Sequence, residues 1–291
     1  DPSVSNNTQR RLVFFIGDPA MKLPLAAPDI IVTKLNNEDI ATTTQELQAL
    51  GTAKIEGYVA DDKGVIRSDY SGTLTATVFD KNIQRTTLGN DGITENGQLI
   101  LMDFETMGEV IFRGQASVEN GIFEINFIVP KDISVPVGNG KISLYSKTEN
   151  PLTDQRGYNF DVKIGGVNPN APEDNTGPNI QLYMNDESFV SGGITNENPT
   201  LLVKLFDENG INTASGVGHD IVAIIDGDET NPFILNDYYV ADQDTYQSGH
   251  LSYPFRELSP GLHTLTLKAW DVYNNASTKE IRFVVFDQNQ S

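Results

Sequence analysis

Apolar and polar residues alternate one by one along most of this chain. Lys54-Ile55-Glu56-Gly57-Tyr58-Val59, Thr73 to Phe79 and Glu109-Val110-Ile111-Phe112 each set one residue type on each face, as a half-buried strand requires. Helical periodicity is almost missing. Gln45 to Leu50 is the exception: Thr42 to Thr44 offer a cap and Gly51 a stop, which predicts one helical turn. Glu119-Asn120-Gly121 separates two alternating runs, and Asn-Gly accepts positive φ cheaply, which predicts a hairpin. Asn139-Gly140 marks a further turn before Lys141-Ile142-Ser143-Leu144-Tyr145.

The alternation lapses over Gly165 to Pro178, where apolar content almost vanishes and Pro169, Pro172 and Pro178 limit slack. This reads as a linker. After it come about seven strand candidates, near 179–185, 200–206, 220–225, 232–235, 249–257, 262–270 and 279–286, the count and spacing of an immunoglobulin-like sandwich. The expected fold is all-β, two tandem β-sandwiches over residues 29–164 and 179–291. Residues 1–28, with the apolar run Leu12 to Ile16 and a Gly17-Asp18-Pro19 turn, read as the tail of another domain.

A length of 291 residues suits two domains. The net charge of −20 and pI near 4.3 repel phosphate backbones and anionic lipid, which argues against nucleic-acid or membrane-surface binding. Cysteine is absent, so disulfides, thiolate metal sites and cysteine nucleophiles are all excluded. The apolar runs fall far short of the ~20 residues of a membrane-spanning helix. Asp1 follows no basic and apolar leader, so the chain is expected to start after any signal peptide or within a longer protein.

Candidate chemistry gathers in the last third. In an immunoglobulin-like sandwich the B–C and F–G loops lie at one end, where the first strand also enters. Asp207 and Asn209 would open the B–C loop, Asp271 the F–G loop, and Asp174 with Asn175 precedes the first strand. Oxygen ligands from separate loops suit calcium, although Asp and Asn also end strands and cap turns without an ion, and no twelve-residue EF-hand spacing is present. Both readings stay open. Trp270, the one tryptophan, falls on the polar face of the strand Thr264 to Trp270, and packs either under a loop of its own sandwich or against a neighbouring domain or partner. Tyr238, Tyr239, Tyr246 and Tyr253 could stack against sugar or simply fill strands.

His219, His250 and His263 make no zinc set, and Ser191 and Ser215 lie in no Gly-x-Ser-x-Gly elbow. His263, in the corner after Leu258-Ser259-Pro260-Gly261, is expected to bond back to the chain in the manner of a tyrosine corner.

Gly17-Asp18-Pro19-Ala20-Met21-Lys22-Leu23 followed by Ala27-Pro28 resembles the exit from a gingipain-type cysteine peptidase domain. Phe127 to Ile133, Gly140 to Ser143, Gly177 to Asp186, Gly210-Ile211-Asn212, Gly218-His219-Asp220-Ile221 and Leu235 to Tyr239 are similar, in order, to the region after that domain in type IX secretion sortases of Bacteroidetes. The resemblance covers essentially the whole chain. It implies a parent enzyme whose Cys–His pair cuts a C-terminal sorting domain from secreted cargo and passes the acyl group to an anionic lipopolysaccharide amine. It further implies a secreted, cell-surface or outer-membrane-associated protein, with an outer-membrane β-barrel and cargo sorting domains as partners. No catalytic residue carries over, because this chain has no cysteine and its three histidines all lie in the last module. The resemblance thus implies non-catalytic sandwiches that position the peptidase and dock partners; a lipopolysaccharide-binding module is the alternative.

Overall fold

The computed structural model describes residues 29–214 and 218–286. The expected peptidase tail at 1–28, its Gly17 motif and Ser215 lie outside the described residues. The regular elements described are all strands, apart from one 3-10 turn at Asn236–Tyr238. Among the described residues no helix is long and apolar enough to cross a membrane.

Two separate apolar cores follow the two alternating regions. One runs from Ile30 to Ile164 and the other from Ile180 to Val285. The first is enclosed by an eight-stranded antiparallel sheet in the order Leu152–Asn159, Lys141–Glu149, Gly72–Phe79, Val110–Glu119, Ile122–Ile128, Thr52–Val59, Ile30–Leu35 and Glu38–Asp39. The sheet rolls until its ends meet, where the Asp29 N–H donates to the Arg156 carbonyl at 2.8 Å. Alternation dictates what points inward: Ala53, Ile55 and Val59 are buried from one strand, Leu74, Ala76 and Val78 from another. The hairpin at Asn120-Gly121 forms as expected, with φ of 51° and 78°.

Gln45 to Leu50 is not helical. Glu46–Ala49 is a strand that buries Leu47 and Ala49 and pairs in parallel with Lys163–Val167. Sheet hydrogen bonding and two buried side chains outweigh the local helix signal. That partner strand includes Gly165, Gly166 and Val167, so the extended connection begins only at Asn168, whose N–H bonds the Ala49 carbonyl at 3.0 Å.

Between Asp80 and Glu109 the chain leaves the first sandwich as a two-stranded ribbon. Ile83–Thr86 pairs with Asp103–Thr106, and Thr94–Glu95 with Gln98–Leu99. Its root is held by Lys81, whose ammonium bonds Asp80 Oδ1 at 2.6 Å and the carbonyls of Ser134 and Ile164 at 3.0 Å.

The second sandwich has a four-stranded sheet (Asn179–Met184, Thr200–Phe206, Ser248–Pro254, Tyr239–Ala241) against a five-stranded one (Gly193–Thr195, Ala276–Val285, Gly261–Trp270, Val222–Ile225, Phe233–Ile234). Gly193–Thr195 runs parallel to Ala276–Val285, as the split first strand of an immunoglobulin fold does. The loops at 207–214, 242–247 and 271–275 share one end of this sandwich, and that end meets the first one.

Candidate metal centre at the joint

Strand ends place three acids together. Asp207 follows Phe206, Asp271 follows Trp270, and Asp174 sits in the connection ahead of Asn179. Each offers a carboxylate oxygen, and these oxygens all lie within 4.8 Å of one another. Asp207 and Asp271 are buried, at 6% and 0% exposure. Local hydrogen bonds orient them. Asp207 Oδ1 accepts the N–H groups of Asn209 at 2.8 Å and Gly210 at 3.1 Å. Asp271 Oδ1 accepts those of Tyr273 at 2.9 Å and Asn275 at 2.7 Å. The Asn209 amide donates to Asp174 Oδ2 at 2.8 Å, and the Asn275 amide to Asp271 Oδ2 at 2.8 Å.

The electrostatics are those of crowded carboxylates. Burial, then the charges of Asp271 and Asp174, push the Asp207 carboxyl up to about 6 against the pull of its backbone donors. Burial and Asp174 also raise Asp271. Burial opposes the charge on Asp174, but the Thr176 N–H and the Asn209 amide hold it below the usual range.

Beside this trio the two sandwiches interlock. Asp132, on the first, accepts from the Asn274 amide at 2.7 Å, the Asn212 amide at 2.9 Å and His219 Nδ1 at 2.7 Å. Lys131 N–H bonds the Val272 carbonyl at 2.9 Å. Farther along, Asp244 accepts the Ser117 N–H and hydroxyl, each at 2.6 Å, and Arg113 pairs with Asp237 at 3.3 Å. Tyr246 of the second sandwich, partly buried, packs against the core of the first. Gly210, at φ +106°, makes room: a Cβ there would stand 2.9 Å from the Tyr246 ring.

No family model matches the chain, and no curated protein matches it. Among solved structures, the crystal structure of dimeric latent PorU from Porphyromonas gingivalis is 33% identical over 94% of this chain, with a TM-score of 0.54. The chain is similar to part of PorU. It spans only 25% of the PorU chain. The fibronectin(III)-like modules of Clostridium thermocellum CbhA also align, at 10% identity over 90% of this chain and 97% of theirs, with a TM-score of 0.25.

The chain has no cysteine, hence no Cys–His dyad. Its histidines are engaged otherwise. His219 bonds Asp132 and meets Trp270 edge-on at 4.5 Å; His250 pairs with Asp242 at 3.1 Å. His263 bonds back to the chain through Nε2 and the Ser259 carbonyl at 2.7 Å, while Nδ1 meets Asp226 at 2.7 Å. Trp270 lies under the His219 loop of its own sandwich, with the Lys268 ammonium 4.2 Å from its ring.

Tyr238 and Tyr239, two of the four tyrosines that could have stacked against sugar, part company. Tyr238 is exposed and packs edge-on against Tyr253, whereas Tyr239 is 2% exposed and belongs to the core. Strand alternation from Tyr239 through Ala241 turns that ring inward, so it offers no stacking surface. Asp132 and Tyr246 carry the joint, and no sequence signal marked them as contacts. Asp132 stood out only as part of the Phe127 to Ile133 motif.

Proposed function

We propose that this chain is the non-catalytic β-sandwich region of a type IX secretion sortase, holding a gingipain-like peptidase domain at a set position on the cell surface and docking its partners. The 33% identity to PorU over 94% of the chain carries this reading. The interlocked joint supports the positioning role, because Asp132, Tyr246 and Asp244 tie the two sandwiches at separate points.

The ribbon at 80–109 supports the docking role. Leu88, Ile93, Leu99, Ile100, Leu101, Met102, Phe104 and Met107 are all exposed on it, an apolar density that marks an interaction surface. The PorU structure is of a dimer, so a second copy joins an outer-membrane β-barrel and a cargo sorting domain as occupants of this surface. Co-isolation of this chain with the barrel tests the docking role. Capture by the sandwiches alone supports it; capture that needs only the peptidase domain reduces them to a spacer.

A further inference from the structure

We propose that Asp174, Asp207 and Asp271 bind one calcium ion, which clamps the connection between the sandwiches to the loops that hold Asp132. The inference does not depend on the docking role.

Two of the three carboxylates are withdrawn from water, and the ion pairs of the described residues bring no Lys, Arg or His to any of them. Buried like charges with no cation call for one, or for protons. A separate observation points to a ligand. The Tyr273 hydroxyl is buried without a hydrogen-bond partner, in a residue 8% exposed, and the carboxylates within its electrostatic reach are Asp174 and Asp271. A water on a bound ion would supply the missing partner.

The donor set selects the metal. All three ligands are hard oxygens on loops, with no cysteine in the chain and no histidine in the group, which disfavours zinc. Oxygens held on separate loops suit calcium, which tolerates irregular geometry, over magnesium, which demands a near-ideal octahedron and keeps several of its waters. The Asn209 and Asn275 amides, which now donate to Asp174 and Asp271, can turn their carbonyl oxygens inward. A cavity of about 500 Å³ lined by Asp174, Asp207 and Asn209 gives entry to an ion and its waters.

Such an ion bridges three segments. Asp271 and Asp207 begin the loops carrying Asn274 and Asn212, the same asparagines that grip Asp132. Calcium binding and the stiffness of the joint are therefore linked.

The test is calorimetric titration of calcium into the chelator-treated chain, with melting curves in calcium, in magnesium and in chelator. One equivalent of saturable binding and a melting shift of a few degrees, larger in calcium than in magnesium, are expected. Asp207→Asn preserves the acceptor for the Asn209 and Gly210 N–H groups, so it should fold, match or exceed the wild type in chelator, and lose at least ~10-fold in calcium affinity. Absence of heat and shift at millimolar calcium overturns the proposal. So does an unchanged calcium response in Asp207→Asn, which puts any ion elsewhere, or an equal response to magnesium.

Discussion

Asp132 of the first sandwich and His219 of the second meet at 2.7 Å, with the Asp132 side chain only 7% exposed. The carboxylate takes two more hydrogen bonds, from Asn212 and Asn274, so three donors of one sandwich converge on a single acid of the other. Replacing it by alanine leaves those donors unpaired at a nearly dry interface. Asp132→Ala should cost about 3–5 kcal/mol of joint stability. Chemical denaturation should turn one transition into two, the sandwiches unfolding separately, and Asp132→Asn should cost less because it keeps one acceptor oxygen.

Tyr246 contributes apolar area where Asp132 contributes polar fit. Tyr246→Ala removes a partly buried ring packed against the core of the first sandwich and should cost about 1–2 kcal/mol. Gly210→Ala should act in the same direction by about 1–3 kcal/mol, because φ +106° strains any side chain and the new methyl meets the Tyr246 ring. Thermal unfolding of the two variants and their double checks this. Sub-additive effects are expected, since both changes act on one contact.

Much of this was legible in the sequence, and the limits have physical causes. Period-2 alternation marked the strands that bury one face, such as Thr52–Val59 and Gly261–Trp270. It missed Gly193–Thr195, an edge strand too short to alternate visibly, and misread Glu46–Ala49, whose strand partner lies more than a hundred residues away. Asp174, Asp207 and Asp271 could be placed at one end because loop order in an immunoglobulin-like sandwich follows strand order. Asp132 could not be placed, since a contact between two sandwiches leaves no period in either. The ribbon escaped notice because its apolar residues face solvent, where alternation sorts nothing.

His263 gives a pH signature. Burial opposes its charge, but the Ser259 carbonyl and Asp226 outweigh this and raise its pKa above the ordinary histidine value. A raised folded pKa means that the stabilisation is fully present below the unfolded value near ~6.5 and is lost as pH rises through the folded one. Stability of wild type minus His263→Gln, followed by denaturation across pH, should therefore be greatest on the acid side and shrink toward alkaline pH. A difference that grows with pH contradicts the assignment.

The ribbon should matter to partners and not to folding. Leu88 and Met102 are 79% and 66% exposed, so Leu88→Ser with Met102→Ser should alter stability by less than about 0.5 kcal/mol per site. Capture of the partner or of a second copy should fall sharply. Loss of stability with capture intact contradicts the docking role.

The positioning role rests on the two sandwiches moving as one body. Because the chain has no cysteine, spin labels can be placed cleanly at Glu149→Cys on the first sandwich and Thr278→Cys on the second, both exposed strand positions. Pulsed electron-spin distance measurement should return one narrow distribution, which Asp132→Ala combined with Tyr246→Ala broadens. A broad or multiple distribution in the otherwise unaltered chain, calcium present, would contradict a fixed joint.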